Sequence, residues 1–75
     1  MIRCRLRELA EEQGISMRQL EFATRIRLST LLGFRDNTWK HFPAYAMDRL
    51  CEHFGVTPGE LLEYVKEDEM NDEME

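Results

Sequence analysis

Four side chains in this sequence can hold a polyanion: Arg18, Arg27, Arg35 and Lys40. Among them lie Leu28, Ser29 and Leu32. A planar guanidinium such as that of Arg27 can grip the edge of guanine with two hydrogen bonds, and leucine methyls such as those of Leu28 and Leu32 can pack on thymine methyls. The Ser29 hydroxyl serves as donor or acceptor, and Lys40 suits a phosphate. Arg18 and Arg35 add charge to the same face. Together these residues are the equipment of a reader of double-stranded DNA. Catalytic equipment is absent. The two histidines, two cysteines and scattered acids fall at no spacing that makes a nucleophile, an acid–base pair or a zinc site. Cys51 and His53 are two apart on a predicted helix and do not share a face. The reading is no enzyme, no cofactor and no metal.

These side chains must be positioned by short helices. Ser16 with Gln19 forms a capping box, and Ile15 with Leu20 is placed as a hydrophobic staple. A helix is predicted from about Met17 to Ala23, then a turn through Thr24, Arg25 and Ile26, then a second helix from near Arg27 to Asp36. Leu20, Ile26, Leu31 and Phe34 are the apolar points that would lock the pair. The arrangement is a helix-turn-helix, whose second helix enters the DNA major groove in proteins of that type. On it Leu31 and Phe34 face inward; Ser29, Leu32, Gly33 and Asp36 face outward, with Leu28 at the side. Asp36 repels phosphate unless it accepts from a cytosine amine or faces away.

Before this pair, a helix is predicted from about Ile2 to Gln13, ended by Gly14 as a left-handed cap. Ile2, Leu6, Leu9 and Ala10 form its stripe. Arg3, Arg5 and Arg7 lie off that stripe, as a phosphate-contacting patch or as a solvated face with ion pairs such as Arg7 to Glu11. After the pair, residues 37–42 read as a loop, in which Trp39 packs on the core edge or offers its indole N–H to a phosphate, and His41 is exposed. Pro43 suits the first turn of a fourth helix running to about Phe54, with Met47, Leu50, Cys51 and Phe54 as its stripe. Thr57 and Glu60 form a second capping box, with Pro58 in the first helical position. Leu61, Leu62, Tyr64 and Val65 make the fifth helix apolar for its length, which suits either core closure or a second subunit. No strand alternation is read anywhere, so the expected class is all-α.

The chain has 75 residues and a net charge of −5. That charge comes mainly from residues 67–75, which hold six acids and no base. Residues 1–66 carry ten bases and nine acids, and residues 1–40 eight and five. The N-terminal half can therefore present a basic face despite the acidic total. One small domain over residues 1–66 and an acidic, disordered tail over 67–75 are expected. The two cysteines fall on apolar stripes and read as buried thiols of a reducing cytosol. With no signal peptide and no apolar run of about 20 residues, a cytoplasmic protein with no membrane partner is expected.

Two blocks carry a family resemblance. ISMRQLEFATRIRLSTL follows the order of cap, first motif helix, turn and recognition helix, and MDRLCEHFGVTPGELLEYV resembles a closing helix pair. In these blocks the chain resembles the Xre family, the Cro/C1-type helix-turn-helix regulators of bacteria and phages. The resemblance implies a five-helix, lambda-repressor-like all-α domain, a sequence-specific transcriptional regulator with helix three in the major groove, and a homodimer on a two-fold operator. The alternative is a protein-interaction module on the same fold, anti-repressor or antitoxin-like, for which the outward Leu28 and Leu32, Asp36 and the acidic tail would provide the surface. The chain departs from the family pattern at four places. Glu21 stands for a small Ala, and is expected to bend out or pair with Arg25 or Arg35. Arg25 stands for the Gly of the turn, where positive φ costs roughly 1 kcal/mol. Arg27 stands for a capping Ser, a loss of about 1 kcal/mol. Met17 stands for a Gln that contacts phosphate.

Overall fold

The computed structural model describes residues 1–66. The elements follow in the order β1 (Ile2–Cys4), α1 (Leu6–Gln13), α2 (Met17–Thr24), α3 (Leu28–Asp36), α4 (Ala44–Phe54), α5 (Pro58–Leu61) and β2 (Leu62–Tyr64). Five helices build the domain, as the all-α reading requires, and a small two-stranded sheet is added to them. The acidic tail expected over residues 67–75 lies outside the described residues.

Local chemistry accounts for most helix ends. The Ser16 Oγ accepts from the Gln19 N–H at 3.1 Å, and the Gln19 Oε1 accepts from the Ser16 N–H at 2.9 Å, completing the first capping box. Thr57 and Glu60 complete the second. Gly14 and Gly55, both at φ 67°, close α1 and α4 in the left-handed conformation that a side chain resists. Leu20, Ile26, Leu31 and Phe34 are all buried, so the α2–α3 pair is locked by the residues its spacing predicts. Leu6, Leu50, Leu61 and Cys4 join them in one core. Burial of that order stabilises by about 1.5–3 kcal/mol for each large side chain.

Two expectations are corrected. Residues 2–4 are not the start of α1; they are extended, and they pair antiparallel with Leu62–Tyr64, Ile2 opposite Tyr64 and Cys4 opposite Leu62. Ile2 and Leu6 satisfy both a helical stripe and a period of two, Cys4 fits only the period of two, and the ladder selects that one. Likewise the fifth helix is a single turn. Leu62 is already extended at φ −113°, ψ 150°, so Tyr64 and Val65 do not lie on a helix. The N-terminal arginines serve the fold. Arg3 pairs with Glu63 directly opposite and with Glu8 at 3.2 Å, and Arg5 donates to the Glu60 carbonyl. Arg7 meets Asp36, not Glu11.

Asn37 ties the sheet to the helices. It caps α3 at φ 59°, a left-handed angle that asparagine tolerates. Its side-chain amide lies along β1 as a further strand residue would. Oδ1 accepts from the Cys4 N–H at 2.7 Å, and Nδ2 donates to the Cys4 carbonyl at 3.1 Å. The Trp39 indole N–H also donates to Oδ1, at 3.2 Å, and its ring sits edge-on to Phe34 and Phe42, which stack with centroids 4.0 Å apart. Trp39 thus packs on the core edge, and its N–H is spent inside the fold. Cys4 is fully buried, and that burial pushes its thiol up to about 11. Burial, with Asp48 and Glu60 nearby, raises the Cys51 thiol as well.

Candidate nucleic-acid interface

The α2–α3 unit holds together through more than its apolar residues. Arg25 sits in the turn at φ 61°, held there by its N–H to the Glu21 carbonyl at 2.7 Å. Arg27 is the N-cap of α3 and makes no side-chain capping bond. The missing acceptor comes from α2. The Glu21 Oε2 accepts from the Leu28 N–H at 3.0 Å. The carboxylate neither bends into solvent nor pairs with Arg25 or Arg35; it caps the first turn of α3, where four backbone N–H groups lack helical partners. A negative charge there also suits the helix dipole. Two departures from the family pattern, Glu21 for Ala and Arg27 for Ser, therefore answer one another.

The outward face of α3 is mixed. Ser29 is exposed, while Leu28 and Leu32 are half-buried and offer only part of their surface. Arg27 is exposed and has no ion-pair partner among the described residues. Arg18 on α2 and Lys40 beyond α3 are exposed too. Arg35 is half-buried and engaged. It grips Asp36 through two bonds, 2.8 Å from Nε and 3.0 Å from Nη2. Arg7 of α1 reaches the same carboxylate at 3.1 Å. The hydrogen bond from Arg35, followed by that from Arg7, holds the Asp36 carboxyl below its ordinary value. Asp36, the acid that would repel a phosphate, is thus neutralised by two arginines. Of the two, only Arg35 is among the expected DNA contacts; for Arg7 the structure gives the ion-paired alternative, with Asp36 as the partner. Arg7 and Arg35 flank a surface depression of about 520 Å³ whose wall includes Ser16 and Met17, at the first turn of α2. Cations beside a helix N-terminus make a favourable place for a phosphate.

The capped α2, the tight turn and the half-exposed α3 form a helix-turn-helix. Residues 5–67 match the family described as the Cro/C1-type HTH DNA-binding domain. The chain belongs to that family. Among curated proteins none matches it. As a Cro/C1-type domain the chain is a DNA-binding module, of a family that is not an enzyme family. Among the described residues no helix is long and apolar enough to cross a membrane.

Proposed function

We propose that this Cro/C1-type domain is a sequence-specific transcriptional regulator of bacterial or phage type, acting as a homodimer in the cytosol with α3 in the major groove. The observation that carries the reading is Arg27. It is exposed and unpaired among the described residues at the N-terminal end of α3, two residues before the exposed Ser29. In that pose Arg27 and Ser29 meet base edges, and the free parts of Leu28 and Leu32 meet thymine methyls. Arg18, Arg35 and Lys40 take phosphates on either side. Selection from a random duplex pool, repeated at two salt concentrations, tests this. A recovered two-fold sequence whose affinity falls steeply with salt is expected. Arg27→Ala should relax specificity at one base pair, whereas Lys40→Ala should weaken every sequence alike and reduce the salt slope by about 1 per subunit. Equal losses on selected and random DNA for Arg27→Ala would remove it from the reading role.

One observation favours a protein partner instead. Phe22 on α2 is 89% exposed, with Arg18 one turn before it. An aromatic ring beside an arginine is typical of the energetic centre of protein interfaces. No retention of any duplex at low salt, together with capture of a protein that Phe22→Ala abolishes, would establish that second reading.

A further inference from the structure

The two-stranded sheet has two outer edges, and they differ. Met1 and Val65 exchange backbone bonds, and the Arg5 N–H donates to the Leu61 carbonyl. The odd-numbered residues of β1 and β2 therefore turn their peptide groups toward each other. Ile2 and Cys4 turn theirs to one outer edge, Leu62 and Tyr64 to the other. The β1 edge is closed at Cys4, whose N–H and C=O are both held by Asn37. The β2 edge is open. The Leu62 N–H is used by the Pro58 carbonyl, but the Leu62 C=O and both peptide groups of Tyr64 have no partner among the described residues. The side chains beside this edge are apolar and uncovered: Tyr64 is 69% exposed, and its cross-strand neighbour Ile2 is 49% exposed. Natural edges are ordinarily blunted by charge, proline or a covering segment; β1 has such a cover at Cys4, while β2 has none among the described residues.

We propose that the β2 edge is the dimer interface, joining two copies of this chain in one four-stranded antiparallel sheet with the two-fold axis at Tyr64. This rests on the homodimer reading above and gives that dimer a location. An antiparallel edge is self-complementary about a two-fold axis, so a second copy fits it with one patch used twice. Charge selects the register. Centring the axis on residue 63 would set the two Glu63 carboxylates opposite each other, which is unfavourable in a sheet. Centring it on Tyr64 sets Glu63 opposite Val65 of the partner subunit. In that register the two Tyr64 residues exchange both backbone bonds, and the Leu62 carbonyl accepts from the N–H of Lys66 of the partner subunit. The tyrosine rings meet on the face that carries Ile2.

Tyr64→Pro tests the edge selectively. The Tyr64 N–H points away from β1, so proline removes an intersubunit donor and leaves the β1–β2 ladder intact. Sedimentation equilibrium of the full chain without DNA should show a dimer whose dissociation constant rises about tenfold or more in the variant, the loss expected for buried hydrogen bonds. Circular dichroism of the variant should match that of the parent. A dimer of unchanged affinity in Tyr64→Pro overturns the β2 edge and leaves the homodimer standing. A chain that stays monomeric at every concentration overturns both, and DNA selection reports separately on DNA binding. Should the proline variant unfold, disulfide trapping decides. Glu63→Cys mixed with Val65→Cys should give a linked heterodimer in oxidising buffer, because the two positions face each other across the axis. Self-linking of Glu63→Cys alone, or no linking in the mixture, overturns the register.

Discussion

Replacing Glu21 by alanine restores a residue of the size the family favours inside α2, and yet it should destabilise this chain. In the structure the Glu21 carboxylate accepts from the Leu28 N–H at 3.0 Å, and Arg27 supplies no capping bond of its own. Loss of a side-chain cap costs about 1 kcal/mol. Loss of the negative charge at a helix N-terminus adds about 0.3–1 kcal/mol. Alanine returns a few tenths of a kcal/mol through its better helix propensity. The net loss is about 1–1.5 kcal/mol, which in a domain of this size lowers Tm by roughly 5–10 °C. Glu21→Gln separates the two contributions. The amide oxygen still accepts from Leu28, so only the charge contribution of about 0.3–1 kcal/mol is lost, and added salt should narrow the gap to the parent. Urea and thermal unfolding followed by circular dichroism measure all three proteins. An alanine variant as stable as the parent would refute the capping role, and a glutamine variant as damaged as the alanine one would refute the hydrogen-bond account of it.

Asn37→Ala removes three hydrogen bonds and leaves the Cys4 peptide groups short of partners, for a loss of about 2–3 kcal/mol in urea unfolding. Asn37→Gly relieves the φ of 59° but should still lose about 2 kcal/mol, because the amide and not the backbone angle is what matters there. Arg25→Gly has the opposite sign. It relieves a φ of 61° at a residue whose side chain caps nothing, and the urea midpoint should rise by the equivalent of about 0.5–1 kcal/mol. Asp36, whose carboxyl the Arg35 bond holds below its ordinary value, stabilises the folded chain above the ordinary carboxylate range and loses that contribution as pH falls through its folded value. Urea midpoints measured below about pH 4 should therefore fall less steeply in Asp36→Asn than in the parent.

What could be read ahead of the structure was whatever is written in adjacent residues. Ser16 with Gln19 and Thr57 with Glu60 announce helix starts three residues apart, and Gly14 and Gly55 announce helix ends, because each is a bond or an angle within one turn. Leu20, Ile26, Leu31 and Phe34 follow from helical spacing, and so does the exposure of Ser29 on the opposite face of α3. The first strand is hidden because Ile2 and Leu6 fit two periods at once, and because what selects between them lies sixty residues away. Glu21 stands out in the sequence as a departure, but its partner is a backbone N–H, which no residue letter displays. Arg35 reads as a free cation until its neighbour Asp36 is seen to hold it and Arg7 together, and that cluster depends on how α1 lies against α3.

The pairing of β1 with β2 also sets an order of events. Bringing Arg3 to Glu63 closes a loop of sixty residues, at an entropic cost of roughly 4 kcal/mol before any strand bond forms. Three residues a side cannot offset that alone, so the ladder closes after α1 and the α2–α3 pair have drawn the ends together. On a ribosome, Cys4 stays unshielded until Leu62 has emerged. Amide exchange at Arg3 and Glu63 consequently reports opening of this ladder, which can precede loss of the helices between them.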